Sequence, residues 1–275
     1  MIEWPGGNRC ALVLTFDMDA ELNWLNFCKR KGFEKPSARL VGQGIYGPRV
    51  AVPKILTLLD KYKIKACFFI PGKAAELHPA AVKAIADHGQ EIGHHGFNHI
   101  DQSKLSYAEE EAEFQKGVDI IKTTGGVVPR GFRLPGGDMS DNTLTFIKKF
   151  NFLYDSSMSD DDVPYMLERG AKPVVELPNT AGLDDWIYYV YNLLPPLEYQ
   201  SGPHNPSEYF EAMVSALDAS YKEGGYVNVM MHPQVEGRPA RLAALERFIK
   251  YAKRKGKVWI TTPISLAEFW IKHEK

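Results

Sequence analysis

Cysteine is scarce in this 275-residue chain: three in all, an odd number with no Cys-x-x-Cys spacing. That argues against a disulfide framework and fits a reducing compartment. Long apolar runs are missing as well. Met1-Ile2-Glu3-Trp4-Pro5 is not a basic leader, and the run Ala11-Leu12-Val13-Leu14 falls far short of the roughly 18 residues a membrane span requires. The cytoplasm is the expected location, with no membrane partner. Neither sign of charge dominates: 33 Lys and Arg face 34 Asp and Glu, so no basic field exists to hold nucleic acid. The local run Lys29-Arg30-Lys31 reads as a solvated loop face. There is no internal repeat, no low-complexity segment and no Gly-x-Ser-x-Gly elbow of a serine hydrolase.

What is present is a 44% apolar composition, enough for a large core, and the expected organisation is one domain over 1–275. Short apolar or β-branched runs alternate with helix-period segments. Strands are predicted at Cys10–Phe16, Ala66–Ile70, Glu91–His94, Gly131–Leu134, Phe152–Tyr154, Val174–Leu177, Tyr226–Met231 and Val258–Ile260. Pro53 and Pro79 suit first helical turns, Ser106 with Glu109 forms a capping box, and Ser207 is a candidate cap for a helix closed by Gly224-Gly225. Further helices are predicted at about 142–150, 240–255 and 265–273. This alternation predicts an α/β fold, a distorted (β/α) barrel of seven to eight parallel strands.

Metal-type residues cluster at the ends of those strands. Asp17 and Asp19 follow the first, His95 and His99 the third, Arg133 ends the fourth, and His232 follows Tyr226–Met231. Barrel sites gather at the carboxyl ends of strands, so these residues would share one mouth. His95 and His99 are four residues apart, a spacing that predicts one face of a helical turn. With Asp19 they make three ligands, the number a catalytic zinc site takes while leaving a position for water. The same donor set accepts cobalt, nickel or manganese. The stretch 20–52 reads as a long loop that could cover a neighbouring mouth in a homo-oligomer. Its Gly42-Gln43-Gly44-Ile45-Tyr46-Gly47 matches a dinucleotide-binding pattern, which is rejected because no strand precedes it and Pro48 follows.

Five motifs occur in order: Thr15-Phe16-Asp17-Met18-Asp19, His95-Gly96-Phe97-Asn98-His99, Arg130-Gly131-Phe132-Arg133-Leu134-Pro135-Gly136, Leu183-Asp184-Asp185-Trp186 and Met231-His232-Pro233. Together they resemble the NodB-homology polysaccharide deacetylases, carbohydrate esterase family four, over roughly residues 10 to 265. Two departures stand out. Met18 separates aspartates that are usually adjacent, and Gly96 stands where Ser or Thr is usual. Both features, with His232-Pro233-Gln234-Val235-Glu236-Gly237-Arg238-Pro239, are closer to the intracellular branch of peptidoglycan-deacetylase-like, allantoinase and cyclic-imide hydrolase relatives.

The resemblance implies a divalent metal on Asp19, His95 and His99, with Asp17 as base held by Arg133. His232 is implied as the acid, supported by Asp185 or Asp184. It also implies an oxyanion resting against the metal and a backbone N–H after the fourth strand. Trp24, Tyr46 and Trp186 are candidates to stack on a sugar or planar imide at the mouth. Expected substrates are N-acetylated sugars of the polysaccharide or peptidoglycan type. The alternatives are a cyclic imide or ureide, or a carbohydrate-binding protein without catalysis. Asp160, Asp161 and Asp162 form a rival acidic loop, and His94 is a candidate second-layer residue or alternative ligand. His78, His88, His204 and His273 are expected to have structural partners only. Tyr188, Tyr189 and Tyr191 alternate like a half-buried strand.

Overall fold

Strand β1 (Cys10–Asp17) is buried along its whole length, as a run of Cys-Ala-Leu-Val-Leu-Thr-Phe without a charge requires. Its side chains divide with period two. Cys10, Leu12, Leu14 and Phe16 pack outward against the helix layer, whereas Ala11 and Val13 join Cys67, Phe69, Tyr154 and Tyr226 inside the sheet's curl. The computed structural model describes residues 2–30, 32, 35–190 and 204–273.

Around β1 lie β2 (Cys67–Ile70), β3 (Glu91–His94), β4 (Gly131–Phe132), β5 (Tyr154–Asp155), β6 (Tyr165–Glu168), β7 (Val174–Glu176), β8 (Tyr226–Met231) and β9 (Val258–Thr261). The order is β6-β7-β5-β4-β3-β2-β1-β8, with β9 paired to β1. Because β8 pairs Ala11 to Phe16, β9 and β2 must share the other edge of β1: β9 takes Cys10 to Val13 and β2 takes Thr15 to Asp17. Between β7 and β8 the curl closes by a parallel bridge at Asp184 and Met230, with Met230 N–H donating to Leu183 O at 3.0 Å and Asn228 N–H to Thr180 Oγ1 at 2.9 Å. The result is a distorted barrel.

Of the nine strands among the described residues, one departs from the all-parallel expectation of seven to eight: β6 runs antiparallel to β7. Its residues are all half-buried, so no apolar alternation marks it. The stretch 20–52, expected to be a long loop, holds two helices, Leu22–Arg30 and Ala38–Tyr46, the second running on through 47–51 into Val52–Tyr62. Three glycines lower its helix propensity, but a Cβ on Gly44 would stand 2.4 Å from Ala20 O. Glycine there lets the helix back onto the loop after β1, and packing outweighs propensity. Among the described residues no helix is long and apolar enough to cross a membrane.

Other expectations are met or moved slightly. Ser106 and Glu109 form the capping box of helix Tyr107–Gly125, which Gly126 ends in the left-handed region. The cap of helix Pro206–Glu223 is Asn205 rather than Ser207, again boxed with Glu208. Tyr188 and Tyr189 lie in a short helix, Asp185–Tyr189, not a strand. Tyr191 and Lys31 lie outside the described residues.

Candidate active site

Each inner row changes character as it nears the carboxyl end of the sheet. On β1, Ala11 and Val13 are followed by Thr15 and Asp17, and on β8 Tyr226 is followed by Asn228, Met230 and His232. The same parity carries Glu91, Gly93 and His95 on β3, Gly131 and Arg133 on β4, Tyr154 and Ser156 on β5, and Val175, Leu177 and Asn179 on β7. Large rings fill the lower interior, so a Cβ on Gly131 would overlap the Tyr154 ring and one on Gly93 the Phe69 ring. Apart from Glu91, which accepts from the Tyr154 hydroxyl and the Ile264 N–H, the charged and imidazole groups of these rows gather at the carboxyl end. They line a cleft of about 450 Å³ that includes Asp17, Asp19, His95, His99, Arg133, Asp184, Trp186 and His232.

Donor atoms of Asp19, His95 and His99 lie within 4.8 Å of one another. Asp19 Oδ1 stands 3.5 Å from His95 Nε2 and 3.3 Å from His99 Nε2, yet it is buried without a hydrogen bond. His95 Nδ1–H donates to the carbonyl of Arg133 at 2.8 Å, because a carbonyl can only accept. That fixes the tautomer and leaves Nε2 a free lone pair facing Asp19, the arrangement a metal-binding histidine needs. An orphaned carboxylate oxygen between two imidazoles therefore fits a divalent ion. Burial works against Asp19's charge, but His99, His95 and His232 hold it well below the usual carboxylate range.

The His95–His99 segment is a loop, not the helical turn its spacing predicts. Gly96 and His99 both have positive φ, 68° and 56°, which breaks a helix. The loop instead folds the two rings to 5.1 Å. Glu113, from helix Tyr107–Gly125, clamps it, its Oε2 accepting the N–H groups of Phe97 at 2.9 Å and Asn98 at 2.8 Å. Asn26 reaches His99 O at 2.8 Å, and Asn23 donates to Asp19 Oδ2 at 2.7 Å.

Arg133 uses all five of its N–H donors. They go to Asp17 Oδ1 at 2.7 Å, Thr15 Oγ1 at 3.0 Å, and Ser156 O, Ser156 Oγ and Asn179 Oδ1, each at 2.9 Å. Asn228 Nδ2 ties the same acceptors together at 3.1 Å to Ser156 Oγ and to Asn179 Oδ1. Asp17 is thus held against a buried guanidinium, with its other oxygen 3.8 Å from His95 Nε2.

Across the cleft, His232 Nδ1–H donates to Asp185 Oδ1 at 2.7 Å, and its backbone N–H donates to Asp185 Oδ2 at 3.0 Å. Asp184 stands further off, at 3.8 Å, and caps helix Asp185–Tyr189 through Trp186 N–H. Burial disfavours the imidazolium, but the Asp185 charge and hydrogen bond, with Asp19 and Asp184 behind, raise His232 to about 10. Its Nε2 faces the cleft, 3.6 Å from Asp19 Oδ2.

Several candidates lie elsewhere. Trp24 is buried behind Trp186, ring centroids 5.3 Å apart, and only Trp186 lines the cleft. Tyr46 is away from the mouth, donating to Gly237 O at 2.9 Å under the Arg238 guanidinium. Asp161 and Asp162 line a separate cavity with Tyr226 and Glu223. His94 has opposite parity to His95 and stacks on Phe114 in an aromatic cluster. Burial, then the charge of His95, lowers it to about 3. His78, His88, His204 and His273 bond to Glu21, Asp60, Glu208 and Phe269 O. Asn23, Glu113, Ser156, Asn179 and Asn228 were not among the expected site residues; inward parity was the available signal for Ser156 and Asn179, just past β5 and β7, and for Asn228 within β8.

The polysaccharide deacetylase family model matches residues 46–154. A peptidoglycan deacetylase of Helicobacter pylori (strain ATCC 700392 / 26695) is 28% identical, covering 89% of this chain and 91% of that protein. The crystal structure of a Mycobacterium smegmatis protein assigned as a polysaccharide deacetylase superposes with a TM-score of 0.89. It is 32% identical and covers 99% of this chain and 93% of that one. Puue allantoinase superposes with a TM-score of 0.84 at 28% identity, covering 98% and 93%. With 32% identity across nearly the whole of a solved relative, this chain belongs to the polysaccharide deacetylase family and is a hydrolase of that family's carbon–nitrogen amide type.

Proposed function

We propose that the protein is a metal-dependent N-deacetylase of acetylated amino sugars of the peptidoglycan type, acting as one catalytic domain in the cytoplasm. The observation that carries this reading is the buried, orphaned Asp19 oxygen between His95 and His99, with a base candidate on one side and an acid candidate on the other. Three buried free cysteines suit a reducing compartment.

Asp19, His95 and His99 would hold the ion, zinc being the first candidate. A divalent ion there supplies Lewis-acid polarisation of the acetyl carbonyl and acidifies water. Asp17, kept in place by Arg133, accepts the proton of the water whose oxygen bonds to the carbonyl carbon. His232 enters the reaction protonated because Asp185 favours its imidazolium. As the C–N bond breaks, its Nε2 proton passes to the departing nitrogen, which could not leave as an amide anion. The products are acetate and a free amine, and the Asp17 proton restores His232 through water. Trp186, beside His232 with ring centroids 5.3 Å apart, offers an apolar face to a sugar ring.

A second reading, opening of a cyclic imide or ureide, has the allantoinase neighbour in its favour; the same acid and base would serve a ring amide. The deciding experiment gives metal-reconstituted protein N-acetylglucosamine oligomers, succinimide-type rings and allantoin. Acetate release without ring opening supports the deacetylase reading, and ring opening alone replaces it.

A further inference from the structure

The cleft does not end at His99. Asn23, Arg30, His99, Gly136 and Gly137 line both it and a second cavity of about 710 Å³. The two halves differ in charge. Asp17, Asp19 and Asp184 line the first. Among the described residues the second has one carboxylate, Asp101, which is consumed by Lys104 at 2.7 Å and by Ser103 and the Asp138 N–H. Lys29 and Arg30 also line it, and among the described residues neither has an ion pair or side-chain hydrogen bond.

Their placement follows from helix Leu22–Arg30. Asn23, Asn26, Phe27 and Arg30 stand at i, i+3, i+4 and i+7, on one face. The bonds of Asn23 to Asp19 and of Asn26 to His99 O turn that face to the cleft. A basic pair at a helix C-terminus complements the helix dipole, which accounts for the sign of the charge but not for its position where the two cavities meet. A planar guanidinium there presents a donor fork suited to carboxylate or phosphate.

We infer that the second cavity is an anion subsite: the substrate is an N-acetylated compound with a negatively charged substituent, held by Arg30 and Lys29 while the acetamide lies between Asp17 and His232. This inference rests on the deacetylase reading and deepens it. Asp184 lines the first cavity and not the second, which fixes the polarity, since an anion turned towards it would meet a carboxylate.

The test compares neutral N-acetylglucosamine with N-acetylmuramic acid, which adds a carboxylate, and with N-acetylglucosamine 6-phosphate. Metal-loaded full-length protein and a Lys29→Gln/Arg30→Gln variant are assayed for acetate release and, by calorimetry, for binding. Wild type should favour at least one anionic compound about tenfold in kcat/KM and Kd, a preference that salt erodes and the double substitution removes. Whichever anion is favoured identifies the group. Equal handling of charged and neutral compounds, or a preference that survives the substitution, overturns the subsite while acetate release keeps the deacetylase reading. If no compound releases acetate, the deacetylase reading falls. Calorimetry then decides alone: charge-selective binding lost in the variant supports the subsite, and its absence ends it.

Discussion

Asp185 grips His232 at two points, Oδ1 on the ring Nδ1 at 2.7 Å and Oδ2 on the backbone N–H at 3.0 Å. One carboxylate therefore fixes the ring's orientation, its tautomer and its preference for the charged form, and it leaves Nε2 turned to the cleft.

The Asp185→Asn variant keeps the shape and loses the charge that raises His232 to about 10. Imidazolium then disappears at lower pH, so the basic limb of the kcat profile should move down by more than a unit. Turnover of acetamides should fall roughly 10²–10⁴-fold, the usual worth of a general acid. An aryl acetate, whose phenoxide needs no proton, should lose much less. Steady-state kinetics on both substrates across pH checks this; an unmoved limb would remove Asp185 from that role.

Glu113 touches no candidate ligand, yet it accepts two backbone N–H groups of the loop carrying His95 and His99. Glu113→Ala frees that loop. Metal affinity should drop about 10–100-fold, as when an outer partner of a metal ligand is lost, while saturating metal restores most of kcat. Competition with a chelating dye measures the affinity, and wild-type affinity would mean the loop is held by other contacts.

His94 gives a stability prediction. Burial among Phe114, Phe132 and Phe152, then the charge of His95, puts its folded pKa near 3, against 6.5 for a free imidazole. The unfolded chain thus binds the proton first. This contribution is complete above pH 6.5 and is lost as pH falls towards 3, at up to about 1.4 kcal/mol per pH unit. Urea unfolding at several pH values should show a shallower acid slope in His94→Asn than in wild type. Parallel slopes would contradict the assignment.

Much of this architecture was readable in advance. β1 and β2 are apolar runs, β8 is one broken only by Asn228, and motif residues sit where the strands end. What escaped reading depends on contacts. β6 has no burial pattern to advertise it. The His95–His99 loop follows left-handed φ values that residue spacing does not report. Helix Ala38–Tyr46 forms on a glycine-rich sequence because Gly44 meets Ala20. Ser156, Asn179 and Asn228 are small polar residues that matter only because Arg133 and the inner rows of three strands converge. Glu113 lies in an acidic run that reads as solvated surface, and only the fold buries it.

The central claim is a division of labour between Asp17 and Asp19, and metal titration of the two asparagine variants beside metal-saturated turnover tests it most directly. Asp17→Asn should bind the ion nearly as wild type does and lose turnover by about 10²–10⁴-fold, since an amide accepts no proton from water. Asp19→Asn, like His99→Ala, should lose at least about 100-fold in affinity, stay folded by circular dichroism, and recover part of its turnover in excess metal. Weakened binding in Asp17→Asn with wild-type affinity in Asp19→Asn would contradict the account.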